Sequence, residues 1–156
     1  MFDEHIKNIF DAAANDRSDE ELKNNQEKFV IKLLGKFQLL ELILKKYIDA
    51  YVTFKLRERG DSDHLKGLED LPLGILIKRL RKVTGDNELA DRVHALLDMR
   101  NDLAHSSLLV VHKKQIDKPE LFDKQFDYIH ANLCVCQLLD ELVNRVLELY
   151  TGRKFT

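Results

Sequence analysis

Apolar residues recur along this chain in steps of three and four, the spacing of a helical face, with little of the strict alternation that marks a strand. Val30, Leu33, Phe37, Leu40, Leu44, Tyr47, Tyr51 and Phe54 hold that spacing through a single stretch. They predict one long helix over roughly 19–58, with an a/d seam made to pack lengthwise on a neighbour. Leu34, Ile43, Ile48 and Val52 widen the seam, so more than one neighbour is needed to bury it. Ser18 and Glu21 form a capping box at its start. Upstream, Phe2, Ile6, Ile9, Phe10 and Ala13 share one side of a short amphipathic segment over 2–14, an accessory helix that Asn15 to Asp19 breaks.

The long helix ends at Arg59-Gly60-Asp61-Ser62-Asp63, and the polar stretch to Asp70 reads as a loop. Asp70-Leu71-Pro72 opens a short helix, since proline in a first turn lacks only a donor that would have no partner. It runs to Val83 and stops at Thr84-Gly85, with glycine where a left-handed cap is favoured. Asp86 then caps a helix with His105 near its end, and after Ser107 the stretch Leu108 to Val111 reads as a frayed loop or an extended stretch. Asp117, Pro119 and Glu120 start the last helix, 118–151. Its expected seam is Phe122, Phe126, Ile129, Leu133, Cys136, Leu139, Val143, Val146 and Tyr150. The sum is all-α: one domain over 1–156, an antiparallel four-helix bundle with a short extra N-terminal helix.

Composition sharpens this picture. With six Gly and two Pro in 156 residues there is little material for the many tight turns of a β-sandwich. A net charge of −2 excludes nucleic-acid binding driven by overall field, so any RNA contact must rest on local patches. The acidic start Met1-Phe2-Asp3-Glu4 is unlike a secretory signal, and no apolar run reaches membrane-spanning length. Cys134 and Cys136 point to different sides of a helix and cannot bridge each other, so they read as core filler. A cytoplasmic protein with no membrane partner and no cofactor is expected.

The chemistry gathers on the third bundle helix. Taking Leu89 as 0° and about 100° per residue, Val93, Leu96, Leu97, Leu103 and Ala104 share one apolar direction, and Arg100 falls among them at about 20°. A guanidinium stays charged, so such a face calls for a partner anion or a seam between proteins. Beside it runs a polar stripe of His94, Asp98, Asn101 and His105. Arg100-Asn101-Asp102-Leu103-Ala104-His105 reads Arg-Asn-x-x-x-His. Together with a long first helix, a short second one introduced by Leu71-Pro72-Leu73 and a long fourth, this resembles the HEPN superfamily over about residues 20–151.

The resemblance implies a metal-independent endoribonuclease that dimerises so that two motifs face one cleft. Arg100, Asn101 and His105 would be its catalytic residues. His105 would take the proton of a ribose 2′-OH, which attacks the adjacent phosphorus and leaves a 2′,3′-cyclic phosphate. Arg100 would hold the phosphate and Asn101 would orient His105 or bind a phosphate oxygen. The implied partners are RNA, a second copy of the chain and, in a toxin or defence role, an antitoxin or regulatory protein. The superfamily also implies an alternative, a non-catalytic module that binds nucleotide or protein. One departure is plain: where a toxin branch carries tyrosine two positions after His, this chain has Ser107.

Flanking residues admit two readings each. His94 and Asp98 either extend the site, with the carboxylate orienting an imidazole, or form an exposed i, i+4 pair of small worth. Lys78, Arg79, Arg81 and Lys82 on the short helix either guide a substrate or make a solvated face. Arg100 itself could instead be a structural cation paired with Asp98, Asp102 or a carboxylate on another helix. Nothing in the chain has the spacing of a metal site, a phosphate loop or a serine nucleophile.

Overall fold

The computed structural model describes residues 19–112 and 118–154, with side chains described at Glu21, 24–105 and 126–154. The accessory helix expected over 2–14 lies outside the described residues. Four α-helices carry the fold: α1 (Asp19–Ala50), α2 (Leu73–Thr84), α3 (Asn87–His112) and α4 (Lys118–Thr151). The described residues contain no strand, and none of their helices is long and apolar enough to cross a membrane. The chain is an all-α four-helix bundle.

The expected seam of α1 forms the core as read. Val30, Leu33, Phe37, Leu40, Leu44 and Tyr47 are buried, and Ile48 and Val52 join them. The last turn differs. Tyr51–Lys55 is a π-helical turn in which the Leu56 amide reaches back to the Tyr51 carbonyl (3.1 Å). Its wider pitch moves Phe54, the last expected seam residue, out to 43% exposure, where its ring meets Tyr150 edge-on at 4.8 Å. The helix ends on Arg57, a non-glycine residue at φ 54°.

The connection from Leu56 to Pro72 is more ordered than a loop. Glu58 accepts hydrogen bonds from Ser62 and from His64 (2.9 Å), and a 3-10 turn at Leu68–Asp70 buries Leu68. Lys45 of α1 donates to the Glu69 carbonyl at 2.6 Å, pinning this return path to the bundle.

Cross-helix contacts fix the directions. Arg81 meets Asp91 and Gly74 lies against Leu97, so α2 and α3 are antiparallel about Gly85. Asp86 meets Arg145 and Arg92 meets Glu141, so α3 and α4 are antiparallel too. By contrast α1 and α4, the most extensively packed pair, run in the same direction. Lys36 bonds Asn132, Tyr47 meets Arg145 and Phe54 meets Tyr150, an offset that stays nearly constant along both helices. The long connection after α1 makes this possible, because it can return the chain before the antiparallel α2–α3 hairpin begins.

The antiparallel arrangement expected of the whole bundle fails at α1 and α4, which run in the same direction, and two further expectations are corrected. The helix predicted to stop by Ser107 continues to His112, so Leu108 to Val111 are helical. No glycine, proline or cap intervenes there to end it. In α4 the buried residues are Tyr128, Ala131, Val135, Leu138 and Leu142, one face round from the expected seam. Leu133, Val143 and Tyr150 from the expected seam are exposed, and Phe122 lies outside the described side chains. Both faces of α4 carry apolar residues at helical spacing. The choice between them was made by the surface of α1, not by the pattern.

Candidate active site

The motif helix is built as its sequence directs. Gly85 adopts φ 70° and closes α2 with a bond from its amide to the Arg81 carbonyl (3.0 Å). Asp86 then caps α3, its carboxylate accepting from the Leu89 amide at 2.9 Å. That bond, and then the one from Arg145, hold the Asp86 carboxyl below the ordinary range. Leu89, Ala90, Val93, Leu96 and Leu103 are buried along one side of α3, with Leu97 half-buried.

Arg100 sits among those positions, yet it is exposed. Gly74, the second residue of α2, is the one opposite Leu97: a Cβ added there would stand 3.6 Å from a Leu97 methyl. Because the helices are antiparallel, the next turn of α3 passes beyond the start of α2. Leu103, one turn further on, is buried again, but Arg100 in that turn is exposed. Its guanidinium lies 3.5 Å from Asn101 Oδ1, and no described carboxylate pairs with it. The structural alternative, in which Asp98 or Asp102 neutralises Arg100, has no contact to support it among the described residues.

Asn101 and His105 are exposed one turn apart. Their directions differ by about 40° around the helix, so both project to one side. Arg100 and His105 differ by about 140° and about 7.5 Å in rise, too divergent for one helix to bring both onto a single phosphate.

The flanking candidates separate. His94 and Asp98 form an exposed pair at 3.6 Å, the bland form of that contact. Arg79 is tied to the connection before α2, donating to the Asp63 and His64 carbonyls at 3.3 and 2.5 Å. Arg81 pairs with Asp91 at 2.8 Å across the α2–α3 turn, while Lys78 and Lys82 are exposed. No group of three His, Cys, Asp or Glu side chains is placed to hold a metal among the described residues.

A second arginine did not stand out in the sequence. Arg145 of α4 contacts Asp86 and Glu141 at 2.7 Å each and the Tyr47 hydroxyl at 3.4 Å, with its charge 5.9 Å above the Tyr47 ring. Arg92 holds the other oxygen of Glu141 at 2.7 Å. Partial burial alone would lower the pKa of Arg145, but the bonds to Asp86 and Tyr47 outweigh it and hold it raised. The signal was present: Arg145 continues the step of Leu138 and Leu142 and lies one turn after Glu141. It was hidden by reading the neighbouring face of α4 as the seam.

Set beside models of protein families, curated proteins and solved structures, the chain matches none.

Proposed function

We propose that this protein is a metal-independent endoribonuclease of HEPN type, working as a homodimer whose active site combines residues of both copies. The observation that carries the reading is the exposed Arg100, on an otherwise buried side of α3 and without a described carboxylate partner. A charge with no carboxylate partner among the described residues, at a position that calls for an apolar side chain, is accounted for by an external anion. Arg100 is the phosphate clamp, its planar fork matching two phosphoryl oxygens. His105 is the general base toward the 2′-OH, and Asn101 beside it orients the ring or the phosphate. The divergence of Arg100 from His105 within one helix supports a composite cleft, in which a two-fold axis sets Arg100 of one copy near His105 of the other. In the cell such an enzyme would act on RNA in the cytoplasm as a toxin or defence factor held in check by an antitoxin or regulatory protein.

The test is cleavage of RNA in the presence of a chelator, with the ends identified. Cutting should persist, leave a 2′,3′-cyclic phosphate and a free 5′-OH, and spare DNA, which lacks the nucleophile. His105→Ala should abolish it. Cleavage that needs added divalent metal, or equal cutting of DNA, would overturn the mechanism. Binding of RNA or nucleotide without cleavage would favour the alternative, a non-catalytic module on the same scaffold.

A further inference from the structure

Because α1 and α4 run parallel, their C-terminal ends meet at the same end of the bundle, and a pocket of about 380 Å³ lies between them. Its walls come from the π-turn of α1 (Tyr51, Lys55), from Tyr47 below it and from the last turns of α4. Asp86, at the pocket end of α3, is fourteen residues before Arg100, about 21 Å along the helix. The pocket is thus separate from the motif and independent of the nuclease reading.

Among the described residues four cations line it, Lys55, Arg145, Arg153 and Lys154, against one acid, Glu148. Arg145 is already neutralised by Asp86 and Glu141. Two helix C-termini supply roughly half a negative charge each. Lys55, Arg153 and Lys154 still leave a surplus of about one positive charge after Glu148 and both helix ends are counted. None of the three pairs with a described carboxylate. Their approach to the pocket is structured: Gly152 at φ 66° turns the chain after α4, and Thr151 accepts from the Arg153 amide at 3.2 Å.

The remaining wall is aromatic and apolar. Tyr47 and Tyr51 pack edge to face at 6.1 Å, and Leu149 closes the side. The Tyr47 hydroxyl accepts from Arg145, which leaves its own proton to donate. Burial raises its pKa, more than Arg145 lowers it, so the hydroxyl stays protonated at neutral pH. A π-turn in a pocket wall is a feature often met at binding sites. The volume falls in the ordinary range for small-molecule sites.

We infer that this pocket binds a small molecule carrying both an aromatic ring and a phosphate monoester, with Lys55, Arg153 and Lys154 around the phosphate and the Tyr47–Tyr51 wall against the ring. A phosphate monoester carries close to two negative charges at neutral pH and three acceptor oxygens, which matches the charge surplus and the donor set. The aromatic wall discriminates against the bare anion, which would leave it unfilled.

The test uses the full chain and phenyl phosphate as probe, with inorganic phosphate and phenol beside it, read by calorimetry and by amide NMR shifts. Phenyl phosphate should bind saturably, shift the amides of Tyr51, Lys55 and Arg153, and weaken with added salt. Lys55→Gln combined with Arg153→Gln should weaken it about tenfold or more while leaving the unfolding midpoint unchanged, since both side chains are exposed. Tyr51→Leu, which keeps an apolar side chain but removes the ring, should weaken phenyl phosphate but not inorganic phosphate. No saturable binding would overturn the assignment. So would equal affinity for inorganic phosphate, or shifts that map to α3 around Arg100.

Discussion

The same substitution at two arginines separates a charge that holds the fold from one proposed to serve chemistry. Arg145→Met keeps the length and apolar stem but removes two charge-assisted contacts of 2.7 Å, to Asp86 and to Glu141. Such bonds contribute about 1.5–3 kcal/mol each in favourable settings. The Arg145 side chain is 32% exposed, so water screens part of this. The partners are also not abandoned: Asp86 keeps the Leu89 amide and Glu141 keeps Arg92. We therefore expect a loss of about 2 kcal/mol, which for a domain of this size lowers Tm by roughly 4–8 °C. Arg100→Met removes a side chain whose one described polar contact is with Asn101 at 3.5 Å. Its effect on stability should lie within about 0.5 kcal/mol. The assay is urea unfolding of both variants beside wild type, with RNA cleavage measured on the same samples at a temperature where all are folded. Arg145→Met should be destabilised and, when folded, still cut RNA; Arg100→Met should be stable and inactive. An Arg100→Met variant destabilised by several kcal/mol would refute the argument, because a structural anion would then have to face that guanidinium. A stable, fully active Arg100→Met would remove the phosphate clamp from the mechanism.

Other outcomes follow from individual contacts. Asp86 has a depressed pKa in the folded state, so its contribution is present above its unfolded value near 4 and is lost as pH falls through the lower folded value. Asp86→Asn, which can still cap the helix, should be less stable than wild type at pH 7, and urea midpoints should converge as the pH is lowered below about 4. Gly85→Ala forces a side chain onto φ 70° and should cost about 1 kcal/mol, whereas Arg57→Gly relieves φ 54° and should gain up to about 1 kcal/mol, both read from thermal midpoints. Gln26 is buried in line with Val30 and Leu33, and its Nε2 lacks a hydrogen-bond partner among the described residues. Gln26→Leu should stabilise by about 1 kcal/mol in the same assay, and a loss would mean that the amide is satisfied after all.

The amino-acid sequence by itself determined whatever depends on neighbours within a turn or two. The seam of α1 from Val30 to Tyr47, the left-handed stop at Gly85, the cap at Asp86 and the span of α4 are local effects of periodicity and backbone preference, and the structure has each of them. The three motif residues were legible in the same way, as a spacing on one helix. Tertiary structure decided what depends on where a neighbour lies or which way it runs. Both faces of α4 are apolar enough to be buried, and only packing against a parallel α1 selected Tyr128, Val135 and Leu142 over Leu133 and Val143. The α1–α4 alignment also created the basic pocket, from residues about a hundred positions apart that no local pattern connects. Arg100 shows the division most clearly. Helical periodicity put it on the buried side of α3, between Leu96 and Leu103, yet it is exposed, a fact held in the packing between helices and not in the order of residues along one of them.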